Sequence, residues 1–435
     1  MNQLLTLGAR LALPDGGQCL IEAFLGGGGQ GEVYRVALDG QPLALKWYFP
    51  EQASPAQRQA ITALVRRGPP SADFLWPLLV LEAPDWPGFG YLMPLREGRF
   101  KGLVDLMKGR VDPGFRTLAQ AGQHLATAFL ALHAQGLCYR DIAFGNVFFD
   151  PATGEIQVCD NDNVGVDGQG TATVLGTPRF IAPEVVRGAA LPNTQTDLFS
   201  LAVLLFYLLH IHHPLEGARE AAIRCFDLPA MNRLYGASPL FIFDPHDPAN
   251  RPVPGLHDNA LTYWPLYPEF LREAFLRAFT LGLWDPYARV RESEWRTLLA
   301  RLADAICYCA RCGAENIAHA ATAAPTPARC WSCQQALVRP FQLCLDHRVV
   351  LLNHDTRLYP QHLDPAGRHD VNTPLAAVRQ HPRNPAIWGL HNLSGHDWTL
   401  IQADGQTLAV PPGHSLTLAA GVRVDFGTQT GVIRL

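Results

Sequence analysis

A lysine interrupts an apolar run. In "QPLALKWYF", residues 41–49, Lys46 sits among strand-forming side chains. A buried ammonium is costly unless a partner balances its charge, although a lysine snorkelling from a strand end is the plainer alternative. In "IQVCDNDNV", residues 156–164, an apolar strand runs into Asp160, Asn161, Asp162 and Asn163. Two carboxylates and two amides in four residues suit a metal or phosphate site, and equally a polar turn. In "LHAQGLCYRDIAFGNVFF" an Arg-Asp pair, Arg140 and Asp141, leaves a helix C-terminus, and Asn146 follows before another strand. Any fold open to this chain has to accommodate charge at these three places.

The bulk composition allows a large core. Of 435 residues, 48% are hydrophobic and 17% charged, which excludes a disordered chain. The net charge of −4 and the lack of a dense Lys/Arg run give no electrostatic support to nucleic-acid or anionic-membrane binding. The apolar stretch "LFSLAVLLFYLL" is too short to span a bilayer and reads as a buried helix. The first residues lack a basic region followed by a long apolar core, so no export signal is read and a cytoplasmic location is expected.

Residues 18–48 read as three antiparallel strands, with a glycine loop after the first and an Asp39-Gly40 hairpin after the second. "SPAQRQAITALVRRG" reads as a helix with Ser54 as N-cap, Pro55 at its first position and Gly68 at its end. Strand signal returns in "LWPLLVLEA" and "GFGYLMPL", and from about Phe115 the pattern turns helical. The glycines of "LGGGGQGEVYRV" fit G-x-G-x-x-G-x-V as Gly26, Gly28, Gly31 and Val33. They lie between two strands, which favours a flap over nucleotide phosphates rather than a dinucleotide fold. A plain glycine-rich hairpin turn is the alternative.

Taken together, these stretches resemble the protein kinases. "YRDIAFGN" is similar to the family's H-R-D-x-x-x-x-N, "GTPRFIAPE" to G-T-x-x-Y-x-A-P-E, and "TDLFSLAVLLFYLLHIHHPLEG" to D-x-x-S-x-G followed by P-F-x-G. "DPYARV" places Arg289 where the family pairs an arginine with the glutamate of A-P-E, here Glu184. Seven motifs in order span about residues 15–305. The resemblance implies Asp141 as catalytic base, Lys46 on the phosphates, and Arg140 as a ligand for a phosphorylated activation loop. Asn146 and Asp160 become Mg²⁺ ligands, and Gly26, Gly28, Gly31, Val33 and Met93 line the ATP site. Thr171 and Thr173 are the candidate phosphoacceptors. By resemblance "GTP", Gly176–Pro178, implies Ser/Thr specificity, with a cognate phosphatase and a von Willebrand A-type protein as partners.

Three departures from the family stand out. Asn161 and Asp162 replace the Phe and Gly of D-F-G; Asp162 is read as a turn residue, with a group that supports the metal site or binds a second metal as the alternative. Ala143, Phe144 and Gly145 leave the catalytic loop without its usual Lys or Arg. The helix after Lys46 contains no Glu, so Lys46 lacks its expected helix partner; Gln57, Gln59 and Glu51 are the substitutes within reach.

In the C-terminal third, Cys309-x-x-Cys312-Gly and Cys330-x-x-Cys333 are separated by 17 residues. Four thiolates at this spacing suit tetrahedral Zn²⁺ and resemble a zinc ribbon; Cys307 is a substitute ligand. The tail has the strand–turn periodicity of a small β-sandwich, and "LHNLS", "PPG" and "LTLAAGVRVDFG" resemble the second half of a forkhead-associated domain. His347, His354, His362 and His369 read as scattered surface histidines. The expected class is α+β: a bilobal protein kinase fold with a β-rich N-lobe, 1–97, and a helical C-lobe, 98–305. A zinc ribbon, 306–338, and a β-sandwich interaction module, 339–435, follow. ATP, Mg²⁺ and Zn²⁺ are the expected cofactors and a protein the substrate. A nucleotide-binding pseudokinase scaffold and a zinc-held interaction protein are the alternatives.

Overall fold

The computed structural model describes residues 3–13, 16–168, 176–318, 328–364, 370, 373–402 and 405–435. They form two compact units. One comprises Met1–Pro113, Thr117–Trp264 and Phe270–Thr297; the other comprises Gly114–Arg116, Pro265–Glu269 and Leu298–Leu435.

The first unit opens with six antiparallel strands: β1 (Arg10–Ala12), β2 (Gln18–Gly27), β3 (Gly31–Leu38), β4 (Gln41–Tyr48), β5 (Leu79–Ala83) and β6 (Trp86–Pro94). Their spatial order is β1-β2-β3-β4-β6-β5. Period-two alternation places Cys19 and Ile21, Tyr34 and Val36, and Leu45 and Trp47 on one buried face, with Leu81 and Leu92. Asp39 and Gly40 adopt φ of 49° and 78°, the positive values that let a two-residue hairpin follow the strand twist.

Between β4 and β5 lies helix α1 (Pro55–Arg67). Ser54 accepts a hydrogen bond from the Gln57 N–H, and Gly68 ends the helix at φ 78°. The helix buries Ile61 and Leu64, and the Trp76 indole donates to the Leu64 carbonyl at 2.9 Å. The chain then passes strand β7 (Val147–Phe149) and strand β8 (Ile156–Val158), which pair antiparallel. The Val158 N–H donates to the Asp73 carbonyl and the Leu75 N–H donates to the Val158 carbonyl, at 2.8 and 2.9 Å. The segment after α1 is thereby tied to the strand that leads into Asp160.

Helix α2 (Phe115–His133) precedes the Arg-Asp loop, and helix α3 (Thr194–His210) carries the long apolar run. From Thr196 to His210 every residue of α3 is buried, as befits a helix that is apolar on all sides. No helix among the described residues is long and apolar enough to cross a membrane.

In the second unit, Ile306–Tyr308 pairs antiparallel with Glu315–Ile317. Beyond it are an antiparallel six-stranded sheet and an antiparallel four-stranded sheet. They share one core, in which Leu343, Val424 and Ile433 of one sheet meet Ala376, Leu390 and Leu416 of the other around Trp398. Asn392 and Ser394 of "LHNLS" are buried: the Asn392 amide donates to the His396 and Val410 carbonyls, both at 2.9 Å. His362 departs from the surface reading. It is buried, 2.9 Å from Asp304 Oδ1, and accepts from the Tyr359 N–H, because a short helical turn at Pro360–Leu363 turns its ring inward. His369 lies outside the described residues.

His133, at the end of α2, lies between Asp197 and Glu292. Burial pulls its pKa down, but the two carboxylates outweigh that and raise it from 6.5 to about 9. A histidine shifted upward contributes stability that is full below pH 6.5 and lost as pH rises through about 9. The contribution is on the order of 3 kcal/mol. Urea unfolding of the wild type and His133→Gln at about pH 6 and about pH 9.5 should show the wild-type advantage shrink at the higher pH; an advantage independent of pH would refute the charged assignment.

Candidate active site

The glycine loop joins β2 to β3. The Gly28 N–H donates to the Gly31 carbonyl at 2.9 Å. A Cβ on Gly31 would stand 2.2 Å from the Trp47 carbonyl oxygen, so packing demands glycine there. At Gly26 and Gly28 a Cβ would meet no protein atom within 4 Å. Between Gly28 and Gly31, Gln30 turns inward. Its side-chain Oε1 accepts from Lys46 Nζ at 3.0 Å, and its Nε2 donates to Asn163 Oδ1 at 3.1 Å.

Lys46, on β4, is buried, with its side chain only 6% exposed. Its ammonium bonds Asp160 Oδ1 and lies 2.7 Å from Asp162 Oδ2. Burial alone would lower the Lys46 pKa; the carboxylates of Asp162 and Asp160 hold it above its usual value. Asp160 is pushed up, first by burial and then by the negative charge of Asp162. Asp160 adopts a left-handed backbone, φ 54°, and opens a 3₁₀ turn over Asn161–Asn163.

Asp162 corrects the sequence reading. The turn exists, but its carboxylate is 0% exposed and accepts from the Tyr48 hydroxyl as well as from Lys46. Burying an ammonium with no acid on α1 leaves a carboxylate from this turn as the partner that balances it. Gln57 reaches the same cluster one bond further out, donating to the Tyr48 hydroxyl at 3.2 Å and to the Asp162 carbonyl at 3.3 Å. Asn161 is fully buried; its amide donates to the Leu75 and Val158 carbonyls at 2.9 and 3.1 Å.

The Arg-Asp loop is hung from α3. Asp197 accepts from the Tyr139 and Arg140 N–H groups at 2.5 and 3.0 Å. Asn146 Nδ2 donates to the Asp141 carbonyl at 2.8 Å and to its carboxylate at 3.2 Å, and Thr177 Oγ1 donates to Asp141 Oδ1 at 2.7 Å. Asp141 thus holds its carboxylate between an amide and a hydroxyl. The Arg140 guanidinium lies against Gly165, where a Cβ would be 2.3 Å from it. Thr171 and Thr173 lie outside the described residues. Arg289 and Glu184 form the implied pair, buried and bidentate at 2.8 and 2.7 Å.

Lys46, Asp141, Asn146 and Asp160 line one cleft of about 680 Å³ with Gly26, Gly28, Gly31, Val33 and Met93. Sequence reasoning missed Ala44 and Phe148, which supply apolar walls, and Gln30. Ala44 had a signal, two residues before Lys46 in "LALK"; Gln30 had none.

A separate cluster lies in the second unit. The sulfurs of Cys309, Cys312, Cys330 and Cys333 all fall within 4.8 Å of one another. Cys309 and Cys333 are 3.6 Å apart, and Cys312 and Cys330 are 3.7 Å apart. Four sulfurs each about 2.3 Å from a tetrahedral Zn²⁺ would stand about 3.8 Å apart, so the group can hold that ion. Each pair closes a similar turn: the Gly313 N–H donates to the Cys309 carbonyl and the Gln334 N–H to the Cys330 carbonyl, with φ of 76° and 60°.

Residues 101–253 match the family model described as protein kinase domain. The chain carries a protein kinase domain. The DNA damage-responsive serine/threonine-protein kinase RqkA of Deinococcus radiodurans is 28% identical over 232 residues, 50% of this chain and 33% of that protein. CBL-interacting protein kinase 4 of Oryza sativa is 34% identical over 117 residues, 24% of this chain and 25% of its own. A probable serine/threonine-protein kinase of Zea mays is 34% identical over 88 residues, 20% of this chain and 14% of its own. The chain spans a third or less of the length of these relatives.

The buried Arg289–Glu184 pair yields a stability prediction. Arg289→Ala strands a buried carboxylate and should destabilise the first unit by about 3–5 kcal/mol, read by urea unfolding. Arg289→Met with Glu184→Gln removes both charges and should recover part of that loss. A single variant as stable as the wild type would show the pair to be inert.

Proposed function

We propose that this chain is an ATP- and Mg²⁺-dependent protein kinase that phosphorylates serine or threonine on a protein substrate. The observation that carries the reading is the Asp141 carboxylate, held by Asn146 and Thr177 in the cleft that also contains Lys46 and Asp160. In this reading Asp141 accepts the proton of the attacking hydroxyl. Lys46 and the glycine-loop N–H groups hold the phosphates, and Met93, Ala44 and Phe148 enclose the base. Asn146 commits its amide nitrogen to Asp141 and keeps its oxygen for a cation; with Asp160 it offers the hard oxygen donors that Mg²⁺ prefers. Mg²⁺ bound there would neutralise charge on the transferred phosphoryl. Thr177 against Asp141 supports Ser/Thr specificity, and autophosphorylation at Thr171 or Thr173 belongs to the same reading.

The runner-up is a nucleotide-binding scaffold without transfer. It is favoured by the catalytic loop, where Phe144 packs edge-on against Phe180 and Tyr207 in place of a cation. A partner phosphatase and a von Willebrand A-type protein find no support in the fold or the comparisons. The Cys309, Cys312, Cys330 and Cys333 group is proposed as a structural Zn²⁺ site, since four protein sulfurs leave no coordination position open.

Two measurements test these proposals. With labelled ATP and Mg²⁺, the wild type should phosphorylate itself or a generic protein acceptor. Asp141→Asn and Asp160→Asn should each lower the rate by at least about 100-fold, as loss of a base or of a metal-held charge requires. Wild-type turnover indistinguishable from the Asp141 variant would leave the scaffold reading. Elemental analysis of protein purified without added metal should give one zinc per chain, lost in Cys330→Ser; a folded, zinc-free wild type would overturn the metal assignment.

A further inference from the structure

Lys46 requires a carboxylate, and α1 has none to give. The helix sequence "PAQRQAITALVRR" contains no acid, and Gln57 in its first turn points a neutral donor at Tyr48 and at the Asp162 backbone. The charge that faces Lys46 comes from the turn after β8. Asp162 Oδ2 stands 2.7 Å from the ammonium, with the carboxylate wholly buried and also bonded by the Tyr48 hydroxyl. Position 162 is fixed from behind, because Asn161 donates to the Leu75 and Val158 carbonyls and the Val164 N–H closes the turn on the Asn161 carbonyl at 3.2 Å.

We propose that Asp162 is the positioning residue for Lys46, supplying from the Asp160-bearing turn the carboxylate that α1 lacks. The inference rests on the reading that Lys46 serves nucleotide phosphates. Its consequence concerns assembly of the site. The anchor of Lys46 and the candidate metal ligand Asp160 are two residues apart on one rigid 3₁₀ turn, so a single local conformation sets both. Displacing α1 would cost the Gln57 hydrogen bonds and leave the Lys46–Asp162 pair in place. Service as a metal ligand is the competing role for Asp162, whose Oδ1 has no hydrogen-bond partner; it is disfavoured because the carboxylate has no exposed surface and Oδ2 already faces an ammonium and a hydroxyl.

A double-mutant cycle on the full chain decides. Lys46→Met, Asp162→Asn and the double variant would be compared for Mg²⁺–ATP affinity and for single-turnover phosphate transfer. Misplacing the ammonium by about 1 Å should lower transfer roughly 100-fold in Asp162→Asn. The double variant should be no worse than Lys46→Met alone, since the two residues act as one unit. Relocating the charge gives a second arm. The Gln57 amide is two hydrogen bonds away from the Asp162 carboxylate, by way of the Tyr48 hydroxyl. Gln57→Glu added to Asp162→Gly should therefore recover at least about tenfold over Asp162→Gly, a rescue that a purely structural role would not give. Additive losses in the cycle, an Asp162→Asn effect within about threefold, or a raised Mg²⁺ requirement with no coupling to Lys46 would overturn the proposal. A wild type that transfers no phosphate would refute the kinase reading, while the cycle on ATP affinity would still test the pair. Equal ATP affinity in all four chains would overturn it.

Discussion

The ammonium of Lys46 is the constraint around which the first unit is organised. An unpaired charge at this depth is untenable, and removing one partner of a buried pair typically costs about 3–5 kcal/mol. Lys46 solves the problem with two carboxylates from one turn, at the expense of setting Asp160 and Asp162 close together. The ammonium between them is what makes that proximity tolerable. Each of the three charges is therefore held in place by the other two. A turn of four polar residues is thereby fixed against β4 rather than left to solvent.

The same logic recurs beneath the cleft. Asp197 on α3 takes two backbone N–H groups of the Arg-Asp loop and is itself bonded by His133, whose other ring nitrogen meets Glu292. Glu184 and Arg289 form a second buried pair. Replacing such a pair by packed apolar side chains would change stability little, because desolvation offsets the attraction, but the geometry of the pair is directional. They fix where a loop lies more sharply than apolar packing would. That suits Asp141, whose carboxylate has to stay within hydrogen-bond reach of Asn146 and Thr177 while remaining accessible from the cleft.

What the sequence made legible was largely local. Ser54, Pro55 and Gly68 delimited α1 because caps act within one turn, and Asp39-Gly40 announced its hairpin for the same reason. The ordered motifs located Lys46, Asp141, Asn146 and Asp160, which the structure brings to one cleft. Asp162 was misjudged because its meaning depends on a lysine on another strand more than a hundred residues earlier. An Asp in an Asn/Asp run looks the same whether it faces water or an ammonium. The available signal was a deficit: Lys46 had no acid on its helix, and an extra acid stood where the family has glycine. His362 was misread for a similar reason, since Asp304 is far away in sequence. Gln334 shows the limit of composition rules, adopting φ 60° where its counterpart turn uses Gly313.

The polar turn also changes what kind of element follows β8. A glycine at position 162 would leave a hinge, because glycine opposes backbone rotation least. An apolar side chain at 161 would be held by packing, which is non-directional and admits alternatives. Here Asn161 is held by two hydrogen bonds to fixed carbonyls and Asp162 by an ion pair and a hydroxyl. Turning this segment outward would strip four polar contacts from buried groups, each costing about 1–3 kcal/mol or more if left unmade. The carbonyls that Asn161 uses belong to Leu75 and Val158, and the same two residues share a backbone bond. The segment after α1, strand β8 and the turn are thus one hydrogen-bonded body. Asp160 is held at the cleft by that body, with Lys46 as its counter-charge, and α1 bonds the same turn through the Gln57 amide.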